Sequence, residues 1–201
     1  MTSITGAPAV FLDRDGVINI DSGYVHRVAD FQFIPGVLGA CRSLHVAGYK
    51  LIVVTNQAGI AHGYYDEQAF EDISGWMRER FREAGAPLTG VYYCPHHPCA
   101  KISRFRCGCD CRKPAPGMIL QAVREHQIDV AKSFLVGDKE SDLEAAERAG
   151  ISNRYLVRTA GRSVERSDSS GEFESLADVV RRVLGKCLPD TALYSKGLPI
   201  P

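Results

Sequence analysis

Five short apolar runs, each followed by polar residues or a turn, set what this chain can fold into. They are residues 8–12, Lys50-Leu51-Ile52-Val53-Val54, Val91-Tyr92-Tyr93, Ser133-Phe134-Leu135-Val136 and Arg154-Tyr155-Leu156-Val157. Such runs are too short for helices, and the β-branched and aromatic residues in them favour strands. Helical spacing fills the gaps. After Pro35-Gly36, the residues Val37, Leu38, Cys41, Leu44 and Ala47 share a face, and Gly48 closes the segment. Asp66 is placed to cap a longer helix. On that helix Phe70, Ile73, Met77 and Phe81 form a stripe widened by Trp76, and this pattern predicts core packing. Pro116-Gly117 opens a helix to about Gln127. Leu143, Ala146 and Ala149 mark another before Gly150, and a last one runs from Leu176 to Leu184.

Strands that alternate with helices imply a parallel sheet covered on both faces. The expected fold class is therefore α/β, a three-layer Rossmann-like parallel sheet with helices on both faces. Residues 20–33 have no clean period and read as a loop or flap, residues 159–172 as a polar loop, and residues 186–201 as an irregular tail. At 201 residues the chain is expected to form one domain over 1–185. Lysine plus arginine equals aspartate plus glutamate, 24 against 24, which argues against general nucleic-acid or acidic-membrane binding. Residues 1–8 show no signal-peptide pattern, and no apolar run reaches the roughly 18 residues of a membrane helix. A cytoplasmic monomer acting on a small molecule is expected.

The polar residues after the strands carry the chemistry. Asp13 and Asp15 come after the first strand, Thr55 and Asn56 after the second, Lys113 after the third, and Asp138 after the fourth. In an open parallel sheet those ends meet at one crevice. A regular strand would put Asp13 and Asp15 on one face, but Gly16 lets the chain turn there. Asp13 and Asp138 can hold Mg²⁺, which takes oxygen ligands. Thr55 can donate to a phosphate oxygen, and Lys113 supplies positive charge where negative charge develops. A carboxylate nucleophile would divide hydrolysis into two steps, with a second carboxyl giving and then taking a proton.

Seven cysteines add a second theme, five of them within residues 94–111. In a chain with no secretion signal, such a cluster reads as a metal site sooner than as disulfides. Thiolates with imidazole suit tetrahedral Zn²⁺. Spacing alone permits Cys107 with Cys109, or Cys109 with Cys111, as the second ligand pair. Cys41 reads as a small core residue, and Cys187 has no assigned role.

Phe11-Leu12-Asp13-Arg14-Asp15-Gly16 resembles the first motif of the haloacid dehalogenase-like phosphohydrolases. Val54-Thr55-Asn56 is similar to their second motif, Lys113 to the third, and Gly137-Asp138 with Asp142 to the fourth. The resemblance implies Asp13 as nucleophile and Asp15 as general acid/base. It implies Mg²⁺ on Asp13, the Asp15 backbone carbonyl and Asp138, with Thr55 and Lys113 gripping the phosphoryl group, and only a minimal cap. Asp21-Ser22-Gly23-Tyr24-Val25-His26, Tyr93-Cys94-Pro95-His96-His97-Pro98, Cys109-Asp110-Cys111-Arg112-Lys113-Pro114 and Val136-Gly137-Asp138-Lys139 narrow it. Together they resemble the D-glycero-D-manno-heptose 1,7-bisphosphate 7-phosphatase family over about residues 8–160. That likeness implies a phosphorylated sugar substrate met by Asp21, Ser22, Gly23, Tyr24, Thr55, Asn56, Gln57, Ala58, Arg112, Lys113 and Lys139. It also implies structural Zn²⁺ on Cys94, His96, Cys109 and Cys111, in an inserted loop over 94–111. Histidinol-phosphate phosphatase shares these motifs and is the alternative activity. A non-catalytic zinc-loop binding module is the alternative of another class.

Overall fold

A computed structural model of the chain describes residues 6–158 and 172–185. All five apolar runs form strands: β1 Ala9–Leu12, β2 Lys50–Asn56, β3 Leu88–Cys94, β4 Phe134–Gly137 and β5 Asn153–Val157. A sixth, β6 Glu172–Phe173, begins where a loop was expected. Two residues hold no period to read, and only parallel pairing with β5 defines them as a strand. Every pairing is parallel, in the order β3-β2-β1-β4-β5-β6. The winding direction reverses between β1 and β4, so a crevice forms beyond their carboxyl ends. Residues 159–171 of the loop expected over 159–172, the tail over 186–201 and Cys187 lie outside the described residues.

Strand residues alternate between faces, which divides the core in two. Val10, Leu12, Leu51, Val53, Phe134 and Val136 pack against helices α1 (Val37–Val46), α3 (Glu67–Glu83) and α6 (Leu176–Leu184). Ala9, Phe11, Ile52, Val54 and Leu135 face α4 (Gly117–His126) and α5 (Glu140–Arg148). Both faces are covered, so the strands read as unbroken apolar runs. On α3 the predicted stripe of Phe70, Ile73, Met77 and Phe81 is fully buried, and the Asp66 carboxylate caps the helix by accepting from Ala69 N at 2.8 Å.

One short helix, α2 (Ala58–His62), comes just after β2, where the sequence shows only polar residues and a glycine. Five residues are too few for helical periodicity to show. Ile60, Ala61 and Tyr65 near it join Phe70 of α3 and Ala100 and Phe105 of the 94–111 loop in a third apolar cluster. Residues 20–33 are irregular apart from a 3₁₀ turn at Val28–Asp30 and a single antiparallel bridge from Phe33 back to Asn19, as expected for a flap. They are nonetheless anchored, since Val25 and Phe31 are buried and Phe31 meets Trp76 edge-on at 5.3 Å. Phe81 fills the space between α3 and the sheet. Phe81→Ala is expected to lower stability by about 3–5 kcal/mol in urea unfolding, with the far-ultraviolet spectrum of the folded form unchanged.

Candidate active site

β1 stops at Leu12, and Asp13 N donates to Val136 O at 3.0 Å, so the residue past the strand is still pinned to β4. Its buried carboxylate meets Lys113. The Lys113 Nζ lies 2.9 Å from Asp13 Oδ1 and 2.6 Å from Asp142 Oδ1, and it donates to Val54 O at 2.8 Å. An ammonium has three hydrogens, and here three acceptors meet them. Asp142 lies in the first turn of α5, where its Oδ2 accepts from Asp138 N at 3.2 Å and Lys139 N at 3.0 Å. A Cβ on Gly137 would fall 2.3 Å from Asp142 Cβ, so glycine lets this carboxylate close over the end of β4.

Asp138 completes the group. Carboxylate oxygens of Asp13, Asp138 and Asp142 lie within 4.8 Å of one another, all buried. Burial alone would raise the pKa of Asp13, but the Lys113 charge and hydrogen bond hold it below the usual range. Burial would lower Lys113, but its two carboxylates outweigh that and push it up. Burial and then the Asp13 charge push Asp138 up to about 7. Three carboxylates face Lys113 and the half-exposed Lys139, whose Nζ is 3.5 Å from Asp138 Oδ2. An all-oxygen donor set with excess negative charge fits a hard divalent cation.

Asp15 turns elsewhere. Gly16 adopts φ 92°, and the Asp15 carboxylate accepts from both Arg14 Nη2 and Nε, from Asn19 Nδ2 at 3.0 Å and from Gln57 Nε2 at 3.2 Å. Arg14 is 1% exposed, and its guanidinium also donates to Val25 O at 2.6 Å. A buried arginine is tolerated only when paired in this way. Thr55, at the end of β2, accepts from Gln57 Nε2 at 2.8 Å. Asn56 faces the Lys113 backbone: Asn56 Nδ2 donates to Lys113 O and Lys113 N donates to Asn56 Oδ1, both at 3.0 Å.

The cysteine ambiguity resolves. Cys94, at the end of β3, meets His96, Cys109 and Cys111, while Cys99 and Cys107 are exposed and outside the group. The sulfurs lie 3.1 to 3.6 Å apart, and His96 Nδ1 is 3.4 Å from Cys111 and 3.8 Å from Cys94. A tetrahedron built on Zn–S bonds of about 2.3 Å has edges of about 3.8 Å, close to this spacing. A disulfide would need about 2.05 Å. Arg112 Nη1 donates to His96 O at 3.1 Å, next to the cluster. On the other rim, Lys139 Nζ lies 3.7 Å from Asp21 Oδ2, which brings the flap to Asp138. Ser22, Gly23 and Tyr24 are exposed beyond it, and Ala58 is half-buried at the start of α2.

Sequence reasoning gave no role to Arg14, Asn19 or Tyr65, and counted Asp142 in the fourth motif without assigning it a contact. Asp142 had a signal, four residues after Asp138 in a helical first turn, and Arg14 sits between two aspartates. Tyr65 had none. The titration of Asp138 has a consequence for stability. Its proton is held more tightly in the fold than at the ordinary value of 3.8, so its contribution is full below that pH and lost as pH rises to about 7. Metal-free wild type is therefore expected to lose stability relative to Asp138→Asn across that window in urea titrations. A difference that stays flat with pH would contradict this.

Residues 110–182 match the HAD-hydrolase-like family. The chain is 48% identical over 182 residues to D-glycero-beta-D-manno-heptose-1,7-bisphosphate 7-phosphatase of Photorhabdus laumondii, covering 90% of this chain and 97% of the relative. Against the enzyme of that name from Yersinia pestis it is 46% identical over 178 residues, 88% of this chain and 95% of the relative. The solved D,D-heptose 1,7-bisphosphate phosphatase from B. bronchiseptica, complexed with magnesium and phosphate, is similar with a TM-score of 0.77. Identity to it is 32%, over 89% of this chain and 99% of that one. With sequence and fold alike over nearly their full length, this chain belongs to the D-glycero-beta-D-manno-heptose-1,7-bisphosphate 7-phosphatase family of haloacid dehalogenase-like hydrolases.

Proposed function

We propose that this chain removes the 7-phosphate of D-glycero-D-manno-heptose 1,7-bisphosphate, in the synthesis of ADP- or GDP-activated heptose. The observation that carries this reading is the meeting of Asp13, Lys113 and Asp138 at the β1/β4 switch point, in a chain 48% identical to a relative with that name. Asp13 attacks phosphorus, the bond to the sugar oxygen breaks, and Asp15 gives that oxygen a proton. Water then attacks the aspartyl-phosphate, Asp15 takes its proton, and phosphate leaves. Lys113 keeps positive charge beside the reacting carboxylate, and Thr55 donates to a phosphoryl oxygen. Asp13, the Asp15 backbone carbonyl and Asp138 would hold Mg²⁺, with Asp142 holding Lys113 beside them. When bound, the ion neutralises charge on the phosphoryl group.

Asp21, Ser22, Gly23, Tyr24, Ala58, Arg112 and Lys139 line the rim and contact the sugar and its second phosphate, while Asn56 acts by holding the Lys113 backbone and the buried Gln57, expected as a substrate contact, is instead bonded to Asp15, Thr55 and Tyr65. Cys94, His96, Cys109 and Cys111 would hold structural Zn²⁺, since four protein ligands leave no open position. These four ligands would close the 94–111 loop around the ion and so fix the segment that delivers Lys113. The site is built within one chain, which supports a monomer with a single catalytic domain over 1–185. No helix among the described residues is long and apolar enough to cross a membrane, which accords with cytoplasmic work.

Asp13→Asn is expected to reduce phosphate release to background, and Asp15→Asn to lower it by about 10²–10⁴-fold. Activity surviving Asp13→Asn would remove Asp13 as nucleophile. Rates on the α- and β-anomers of heptose 1,7-bisphosphate are expected to exceed those on histidinol phosphate, and the reverse order would overturn the substrate assignment. Elemental analysis of protein purified without chelator is expected to give about one zinc per chain, from the four-ligand site. Absence of zinc would refute the structural role.

A further inference from the structure

Tyr65 lies three residues beyond α2 and is buried, and its phenol donates to Gln57 Oε1 at 2.5 Å. An amide side chain offers two hydrogens on one end and only acceptors on the other. At Gln57 the two ends are not interchangeable. The Asp15 carboxylate can only accept, so the nitrogen must face it, and Nε2 does so at 3.2 Å. The carbonyl is then left toward Tyr65, whose hydroxyl must donate. Burial pushes the Tyr65 phenol up, which keeps that hydrogen in place. The second hydrogen on Nε2 goes to Thr55 Oγ1 at 2.8 Å. A threonine hydroxyl has one hydrogen and two lone pairs. Because Thr55 accepts from Gln57, its own hydrogen stays available for a phosphoryl oxygen.

Reversing the amide undoes each step. The Gln57 carbonyl would face the Asp15 carboxylate and repel it. Thr55 would donate into Gln57 and lose the hydrogen it needs. We infer that Tyr65 is a positioning residue: through Gln57 it fixes Thr55 as a donor toward the phosphoryl group and steadies Asp15 Oδ2. This rests on the phosphatase reading for the roles of Thr55 and Asp15. The ring is held in place for the task. A Cβ on Gly59 would come 2.2 Å from Tyr65 Cε1, so the ring lies directly over that glycine. His26 from the flap stacks on it at 4.8 Å with planes 6° apart. Phenylalanine would fill the same space and make the same contacts, so the hydroxyl hydrogen can be removed alone.

Tyr65→Phe is expected to fold with a melting temperature near that of wild type, to lower kcat about tenfold, and to leave KM within about twofold. Gln57→Met interrupts the path at its middle and should lower kcat at least as much. Because Tyr65 acts through Gln57, the double variant should be no worse than Gln57→Met alone. Losses that multiply would make Tyr65 an independent contributor and overturn the inference, as would an unchanged kcat or a Tyr65→Phe protein that does not fold. A substrate-free readout separates this from the catalytic reading. The ¹H–¹⁵N signals of the Gln57 side-chain amide, assigned by their loss in Gln57→Met, should shift in Tyr65→Phe. Signals that do not move refute the relay whatever the substrate. If they move while wild type fails to release phosphate, the catalytic reading fails and the Tyr65–Gln57 orientation stands.

Discussion

The ammonium of Lys113 is the contact on which the rest of the site depends. It sits buried between Asp13 Oδ1, Asp142 Oδ1 and Val54 O, and so joins β1, β2 and α5 through one atom. A buried charge is costly unless paired and fully hydrogen-bonded, and this one is both. Its two carboxylates are costly without it in turn. Lys113 holds the Asp13 carboxyl below the usual range, whereas burial pushes both Asp142 and Asp138 up. The protein secures Lys113 from behind as well. Asn56 grips its backbone at both polar ends, and Cys111 of the cysteine cluster lies two residues before it.

Two aspartates two residues apart acquire different surroundings by this means. Asp13 faces a lysine in the buried centre, whereas Asp15 is turned by Gly16 toward Arg14, Asn19 and Gln57. Nucleophilic attack and proton transfer, the roles proposed for them, ask for different environments, and here a single glycine with positive φ separates the two carboxylates. A cation of different shape then holds each carboxylate, Lys113 on Asp13 and Arg14 on Asp15. Lysine acts as a point charge shared among acceptors, and arginine as a planar fork fitted to one.

Much of this was legible in the residues. The strands appear as apolar runs because both faces of the sheet are covered, and the stripe on α3 appears because its helix has one buried side. The polar ends of β1, β2 and β4 could be placed in one crevice from topology alone. The features that stayed hidden did so for reasons of length or direction. α2 and β6 are too short to carry a period. Spacing left the second cysteine pair open, because only the fold decides which of Cys107 and Cys111 turns inward. Asn56 reads as a substrate contact until its side chain is seen turned to the Lys113 backbone. Tyr65 acts through hydrogen-bond geometry that no pattern of residue types encodes.

The strand order also bears on how the molecule comes into being. β1 is the first strand made and lies at the centre of the sheet, yet its partner β4 comes more than a hundred residues later. The bond from Ala9 N to Ser133 Oγ spans 124 positions. At ribosomal speeds of about 5–20 residues per second, the first strand waits roughly ten seconds for that edge to be covered. In that interval it can pair with β2 alone, and its apolar edge stays open to other chains. Contacts this distant in sequence make folding slow. The carboxylates of Asp13, Asp138 and Asp142 therefore come together only when β4 closes on β1, so an unfinished chain carries Asp13 without the rest of the cluster around it.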